Sequence, residues 1–254
     1  MNIDPRADRA VYHQIADLLR AQIARGDLAP GQKLPSEREL MESYGAARET
    51  VRRALRVLMA EGRVEARRGV GVFVRQRGPI RRLSMDRFSR THRRAGKAAF
   101  AAEAEREGRT WRAEVLELAE VPASEIVAPR LGVDLGEPVF VRRRRMVLDE
   151  HPMSLADSYF PLDLARGSAI AREDTGPGGV YSRIEEQGYR LTGFEEELSA
   201  RMPTPEEAHS LDLPAGVPVL DLIRIAHADD RPVEVLVSVV AADKHVFHYA
   251  VPAD

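Results

Sequence analysis

The chain has 254 residues, of which 44% are hydrophobic and 31% are charged. This is the composition of a folded globular protein, and the length suggests two domains. The sequence contains no run of 18 apolar residues, which excludes a membrane-spanning helix. Its first residues lack the apolar segment of a secretory signal. Its 0 cysteines exclude disulfides, thiol catalysis and thiolate metal sites, and favour a reducing, cytoplasmic location.

The net charge of −2 conceals opposite charges in two parts of the chain. Residues 1–100 contain 22 Lys and Arg against 11 Asp and Glu, whereas the other 154 residues contain 16 against 29. A basic amino-terminal part joined to an acidic remainder predicts two functions on one chain, because a basic surface attracts polyanions. Charge alone leaves two interpretations open, a nucleic-acid interface and a solvated surface.

Three helices are predicted near the amino terminus. Apolar residues at helical spacing predict a first helix from Val11 to Gly26. Ser36 and the glutamate three residues after it have the spacing of a capping box, so a second helix should begin there. A third helix should start at Arg48 and end at Gly62.

A β-hairpin is predicted after the third helix, because residues 64–66 and 72–74 are alternating or apolar around a basic turn with two glycines. Three helices with a tight turn between the second and third, followed by a hairpin, form a winged helix-turn-helix. Arg48, Arg52 and Arg56 recur every four residues along the third helix. Such a helix fits the DNA major groove. A solvated basic helix face is the alternative interpretation of this spacing.

The remaining sequence predicts a linker and a second domain. Residues 76–108 are rich in arginine with little apolar periodicity, so we expect a linker that leads into a helix near residues 98–107. Strands are predicted at residues 113–121, 138–147, 220–226 and 233–240. A Gly-x-Pro-Val strand start at Gly136 returns at Gly216, which indicates an internal duplication. The sequence therefore predicts a winged helix-turn-helix over residues 1–75 and an α+β domain with one antiparallel sheet over residues 109–254.

These motifs together resemble a known family of bacterial transcription regulators, the GntR family. In the first domain the matching motifs are Pro30-Gly31, Leu34-Pro35-Ser36-Glu37-Arg38-Glu39-Leu40, Arg48-x-Thr50-Val51-Arg52, Glu61-Gly62 and Arg68-Gly69-x-Gly71. The second domain resembles the UTRA effector domain of the HutC subfamily at Leu131-Gly132, Arg142–Arg145, Asp157–Pro161 and Arg231–Glu234. The resemblance implies a chorismate-lyase-like α+β fold for the second domain, and a regulator that is by default a repressor.

The resemblance also implies which residues contact DNA. They are Arg38, Arg48, Thr50, Arg52, Arg53, Arg68 and Gly69. Arginines at the start of the third helix would contact base edges or phosphates, and the wing tip would contact the minor groove. Ala47 stands where the family often has Ser or Thr, which removes a helix cap of roughly 1 kcal/mol. Because one helix contacts only a few base pairs, we expect a homodimer on a near-palindromic operator.

An effector pocket in the second domain is implied in the same way. The implied effector-binding residues are Phe88, Ser89, Arg142, Arg144, Tyr181 and Glu234. Arg142 and Arg144 share one strand face because side chains alternate along a strand. Ligands of the family include sugar phosphates, histidine-pathway acids and other polar metabolites. Gly179 and Ala156 stand where the family often has Ser and a carboxylate, which argues against an amino-sugar phosphate.

Two other functions remain open at this point. The second domain can be an enzyme, since the implied fold is that of a lyase, with the first domain as a DNA-binding appendage. The chain can also be an architectural DNA protein, although an acidic domain of this size suits that function poorly. The sequence shows no nucleophile–base pair, metal-spaced cluster or phosphate-binding loop. We therefore predict no catalytic residues, no metal and no cofactor.

Overall fold

The computed structural model of the chain describes residues 3, 8–67, 69–75, 80–83, 90–214 and 216–250. The chain divides into two compact units. The first comprises Met1–Pro79 and the short segment Pro214–Val217, and the second comprises Ile80–Leu213 and Pro218–Asp254. No described helix is both long enough and apolar enough to span a bilayer.

The first unit is a winged helix-turn-helix. Its described elements are α1 (Val11–Arg25), α2 (Glu37–Tyr44), α3 (Arg48–Ala60), β1 (Val64–Arg67) and β2 (Gly71–Val74). The two strands pair antiparallel, with Arg67 opposite Gly71. The order and type of the elements confirm the prediction, and their bounds agree with it within a few residues.

The apolar faces of the three helices form the core of the first unit. Its most buried side chains include Ile15, Leu19, Leu40, Val51, Leu55 and Leu58. At the start of α2, Ser36 and Glu39 form both hydrogen bonds of the predicted capping box. Gly45 adopts a left-handed conformation at the end of the same helix. These two signals fix the length of α2, and therefore the turn that precedes α3.

The position of α3 depends on α1 rather than on a cap. Ala47 precedes α3 and forms no side-chain cap, in agreement with the sequence. Near the other end of α3, Arg20 of α1 donates two hydrogen bonds to Glu61, at 2.9 and 2.6 Å. Hydrogen bonds to Glu61 and Asp17 raise the pKa of the Arg20 guanidinium. This ion pair, together with the shared apolar core, holds α3 against α1.

The second unit is built around one large sheet. Its strands are β3 (Ile80–Leu83), β4 (Trp111–Pro122), β5 (Pro138–Leu148), β6 (His151–Phe160), β7 (Leu191–Arg201), β8 (Val219–Ala228), β9 (Arg231–Ala241) and β10 (His245–His248). Its helices are α4 (Arg90–Arg94), α5 (Ala99–Arg106), α6 (Ala128–Leu131), α7 (Leu162–Ala165), α8 (Gly179–Glu186) and α9 (Pro205–Ser210).

The large sheet has six antiparallel strands in the order β4-β5-β6-β9-β8-β7. The strands β4, β5 and β6 form one half, and β7, β8 and β9 form the other. The two halves meet where β6 pairs with β9. This symmetric order agrees with the internal duplication, and the antiparallel α+β architecture confirms the predicted fold class.

Part of the predicted linker is folded into the second unit. The strand β3 pairs in parallel with β10. Ile80 and Phe100, which are 1% and 8% exposed, pack in one cluster with Leu148. Arg82 is also buried and lies 2.7 Å from Glu196. The segment has too few apolar residues to show a period, so its burial, which comes from pairing with distant strands, was not predictable from local sequence.

Candidate DNA interface and effector cavity

Two arginines of α3 lie together on an exposed side of the first unit. Arg48 Nε donates to Glu37 Oε2 at 2.8 Å, and Arg52 Nε lies 3.7 Å from Glu37 Oε1. The two arginine side chains are 72% and 56% exposed. Glu37, at the start of α2, therefore places both guanidinium groups at the surface, where they are free to reorient towards base edges or phosphates.

The other predicted DNA contacts differ in their surroundings. Arg38 is exposed on α2 and lies 3.7 Å from Glu42, whereas Thr50 is half-buried in the first turn of α3. The Arg53 guanidinium lies 4.3 Å from the centre of the Tyr12 ring, a cation–π contact that joins α3 to α1. This contact directs Arg53 towards α1 rather than along the side that Arg48 and Arg52 occupy.

The wing tip is open to solvent at Gly69. Gly69 has a φ of +73°, and a Cβ added there would meet no atom within 4 Å. Its neighbour Val70 is 55% exposed. A Cβ added at Gly71, by contrast, would come within 2.6 Å of Lys33 Cε. Arg68, the remaining predicted contact, lies outside the described residues.

One face of the large sheet borders a cavity of about 760 Å³ within the second unit. This volume is in the range of small-molecule binding sites. The cavity is lined by Arg142, Arg144, Tyr181 and Glu234, four of the residues that the family resemblance implied. Phe88 and Ser89, the other two, lie outside the described residues.

The register of the sheet explains how these side chains meet. Side chains of β5, β6, β9 and β8 that point into the cavity form its floor, and they stand in rows across the strands. One row contains Arg144, Ala156, Ser238 and Leu222, and the next contains Arg142, Ser158, Leu236 and Arg224. Of these, Ser158 is fully buried and does not itself line the cavity. The duplication relates the two rows, since Arg144 and Arg224 lie 80 positions apart at equivalent places in the two halves.

Arg142 supports the loop that borders the cavity. Its guanidinium donates hydrogen bonds to the backbone carbonyls of Ile170, at 2.6 Å, of Arg172, and of Glu173, at 3.1 Å. Burial lowers its pKa to about 10, and the nearby positive charge of Arg144 lowers it in the same direction. The guanidinium therefore remains charged at neutral pH, with neutral carbonyl oxygens as its hydrogen-bond partners.

Arg144 has a neutral partner as well. Its Nη2 donates to the hydroxyl of Ser158 at 2.6 Å. Burial lowers the pKa of this guanidinium. Among the described residues, no carboxylate oxygen lies within 4 Å of either Arg142 or Arg144. The first half of the sheet therefore presents a buried positive charge at Arg142 and a half-buried one at Arg144 to the cavity, without a protein counter-charge in contact.

Arg224, in the second half, has carboxylates beside it. Its Nη2 lies 3.6 Å from Glu234 Oε2, and its Nη1 lies 3.9 Å from Glu196 Oε1. The Tyr181 hydroxyl donates a hydrogen bond to Glu234. Burial disfavours the charge of Arg224, but Tyr181, Glu234 and Glu196 outweigh that effect and raise its pKa. This end of the cavity is therefore electrically balanced.

The wall opposite the floor joins two separate chain segments, residues 93–105 and residues 173–181. The Gly178 backbone N–H donates to the Gly96 carbonyl at 2.7 Å. Arg93, which is 9% exposed, pairs with Glu185 of α8 at 3.0 Å. The segment that follows the first unit in sequence therefore forms part of the cavity wall.

Sequence reasoning missed several residues of both sites. Arg224 was detectable, because the duplication places it opposite Arg144 in the second half. Ser158 lies in a motif that the sequence resemblance used, but no role was assigned to it. Glu37 and Glu196 had no sequence signal, because their importance comes from contacts between separate elements.

Comparison with known proteins identifies both units. Residues 11–74 match the profile of bacterial regulatory proteins of the gntR family, and residues 106–246 match that of the UTRA domain. The chain is 33% identical to an HTH-type transcriptional regulator of Streptomyces coelicolor, over 96% of this chain and 93% of that protein. It is 29% identical to the HTH-type transcriptional repressor NagR of Bacillus subtilis, over 98% of each chain. The crystal structure of PhnF from Mycobacterium smegmatis superposes with a TM-score of 0.61, at 28% identity, covering 94% of this chain and 99% of that one.

A winged helix-turn-helix followed by an effector-binding domain defines a DNA-binding transcription regulator that is controlled by a small molecule. The chain belongs to the GntR family of bacterial regulatory proteins, and its second unit is a UTRA domain of the HutC type.

Proposed function

We propose that the chain is a cytoplasmic, homodimeric repressor whose operator affinity is set by a small anionic metabolite bound in the second unit. DNA binding is assigned to residues 1–75 and effector binding to residues 109–254. Three similar proteins are named repressors, among them NagR of Bacillus subtilis and PhnF of Mycolicibacterium smegmatis. This supports a sensor function, rather than a catalytic one, for the cavity.

The observation that supports the anionic effector is the pair Arg142 and Arg144. A buried charge is costly unless a counter-charge or hydrogen-bond acceptors compensate it. Arg142 has three backbone carbonyls, whereas Arg144 has one serine hydroxyl. Arg144 is therefore the proposed acid-binding group, and Ser158 orients it through a hydrogen bond. Arg142 holds the cavity loop, and Tyr181 and Glu234 are proposed to line the effector site beside it.

On the DNA side, Arg48 and Arg52 are the proposed base contacts. Arginine bonds the O6 and N7 atoms of guanine through two donors. Arg38 and Thr50 are proposed phosphate contacts, and Gly69 permits close approach of the wing to the minor groove. The exposure of both arginines beside Glu37 supports this assignment.

Effector binding and DNA binding are proposed to be coupled through residues 76–95. The residues at the end of this segment border the cavity, since Arg93 lines its wall. A ligand that changes the position of this wall would change the segment that leads to the DNA-binding unit. Coupling free energies of this kind are typically 1–3 kcal/mol. An operator affinity that no cavity ligand changes would contradict this part of the proposal.

The DNA assignment is tested by selecting operator sites from genomic DNA and measuring affinity by fluorescence anisotropy. Arg48→Ala and Arg52→Ala should each cost roughly 1–3 kcal/mol, concentrated at one base pair of each half-site. Arg56→Ala is the matched control, because Arg56 lies on the same helix and is also ion-paired, but it stands about two turns away from the start of the helix. Its affinity should stay within about twofold of the parent. If both test variants bind the operator like the parent, α3 is not the recognition helix.

A further inference from the structure

The rows of Met146 and Arg144 form a largely apolar part of the cavity floor, interrupted by Ser154 and Ser238. Leu222, Leu236 and Val240 are buried in one cluster with Ala156, and Met146 packs against it. Met146 and Val240 belong to the row next to Arg144, and Leu222 to the row of Arg144 itself. The apolar surface therefore begins directly beside Arg144 and extends across β9 to β8.

Aromatic side chains continue this apolar surface on the wall of the cavity. Phe100 and Trp111 both line it, and their rings meet edge to face with centroids 6.2 Å apart. Met146 also packs against the cluster that contains Phe100. Trp111 is 41% exposed, so it leaves a large apolar surface uncovered next to the floor.

The hydroxyl in the centre of the floor is already engaged. Ser238 donates its hydroxyl hydrogen to the Leu155 carbonyl at 2.6 Å. Besides Ser238, the rows of Met146 and Arg144 contain one more hydroxyl side chain on the floor, that of Ser154. A sugar ring presents hydroxyl groups all round, and each one buried without a partner is unfavourable. This floor offers such a ring few partners, but it suits an apolar group well.

We propose that the effector is an amphipathic anion, with a carboxylate or phosphate at Arg144 and an apolar body on Met146, Leu222, Leu236 and Val240. Arg144 and Val240 stand two strands apart, about 10 Å across the sheet. That distance suits an alkyl or phenylalkyl group of about six to eight carbons. The inference rests on the anionic effector proposed above and specifies its chemical class.

The chain contains a single tryptophan, so Trp111 fluorescence reports directly on this cavity. Full-length protein is titrated with butanoate, hexanoate, octanoate, hexyl phosphate, 1-hexanol, inorganic phosphate and glucose 6-phosphate, and melting temperature is measured in parallel. Affinity for the acids should rise about fourfold for each added methylene group that is fully buried. Hexyl phosphate should bind more tightly than inorganic phosphate, whereas glucose 6-phosphate should not. 1-Hexanol should bind at least tenfold more weakly than hexanoate.

Two groups of variants separate the acid group from the apolar body. Arg144→Gln should weaken every acid at least tenfold, inorganic phosphate included, and leave 1-hexanol unchanged. Val240→Thr and Met146→Gln, which keep side-chain volume, should flatten the dependence on chain length and leave inorganic phosphate binding unchanged. Val239→Thr is the matched control, because its side chain points to the other face of β9 and does not line the cavity.

The outcomes distinguish this inference from the function on which it rests. Binding of phosphate and glucose 6-phosphate that depends on Arg144, with no gain from chain length, overturns the amphipathic effector and leaves the anionic effector intact. If none of the anions changes Trp111 fluorescence or melting temperature, both proposals fail. The inference is also overturned if Val239→Thr removes the dependence on chain length as fully as Val240→Thr does. The dependence would then not arise on the cavity floor.

Discussion

The two halves of the large sheet have the same topology, but they surround an equivalent arginine with different side chains. Arg224 in the second half has Glu196 and Glu234 beside it. The positions 80 residues earlier hold Leu116 and Ser154, so Arg144 in the first half has no such carboxylates. The second half therefore neutralises its arginine within the fold, whereas Arg144 would gain a counter-charge only from the proposed anionic effector. Duplication thus provides two equivalent positions for a cation, of which only one is left available to bind an anion.

The largest expected effect comes from removing the shared carboxylate of the second half. Glu196 lies 2.7 Å from Arg82 and accepts a hydrogen bond from Tyr249 at 2.9 Å, in addition to its contact with Arg224. Glu196→Gln leaves two buried guanidinium groups with less counter-charge, so the free energy of unfolding should fall by about 3 kcal/mol. Urea denaturation followed by circular dichroism measures this.

Glu197→Gln is the matched control for that experiment. Glu197 is the next residue on β7, but its side chain is 59% exposed and pairs with Arg130 at the surface. Its removal should cost less than about 1 kcal/mol. Equal losses for the two variants would show that the buried network contributes no more than a surface ion pair.

The second prediction compares the two equivalent arginines directly. Arg224→Gln should lower the free energy of unfolding by about 2 kcal/mol, because it leaves Glu234 and Glu196 buried with less positive charge. Arg144→Gln should leave it unchanged or raise it by about 1 kcal/mol, because it removes a half-buried, partly desolvated charge that lacks a carboxylate. Both are measured by urea denaturation without added anions. A loss for Arg144→Gln as large as that for Arg224→Gln would remove the distinction between the halves.

Local sequence predicted the first unit well and the second unit in part. Ser36, Glu39 and Gly45 define α2 through contacts within a few residues, so pattern alone located the helix. The strand β7 contains a glycine and a run of three glutamates, and its pairing with β8 overrides that low strand propensity. Strand alternation was enough to predict that Arg142 and Arg144 share one face of the sheet. Their hydrogen-bond partners were not predictable, because these depend on contacts between segments that are distant in sequence.

The third prediction extends the comparison to the first unit, where Arg48 and Arg52 share Glu37. This carboxylate competes with DNA for both guanidinium groups. Glu37→Gln should therefore strengthen binding to a random duplex by about two- to fivefold at low salt, and less at high salt, because exposed pairs are screened. Glu49→Gln removes the same charge from a pair that involves Arg56, and it should change binding less. Equal gains for both variants would indicate an effect of net charge alone.

The smallest expected effect concerns the turn that follows the outer strand of each half, β4 in the first half and β7 in the second. We call this turn the corner. In the second half, Arg201 pairs with Glu207 at 2.7 Å and with Asp221 at 2.6 Å. The equivalent positions in the first half are Val121, Val127 and Val141. The same corner is therefore ionic in one half and apolar in the other, so acid should weaken only the second.

The hydrogen bond from Arg201, assisted by those from Thr204, holds the pKa of Glu207 below its ordinary value, although burial opposes this. A carboxylate with a lowered folded-state pKa contributes stability above its unfolded pKa of about 4.3, and this is lost as pH falls through the folded-state pKa. Glu207→Gln should therefore be less stable than the parent by up to about 1 kcal/mol at pH 7, and the difference should disappear in acid, once the pH has fallen through the folded-state pKa of Glu207. Val127→Ala, at the equivalent corner, should cost about 1–3 kcal/mol at both pH values. A pH-independent deficit for Glu207→Gln in urea denaturation would show that the ionic corner contributes through packing rather than charge.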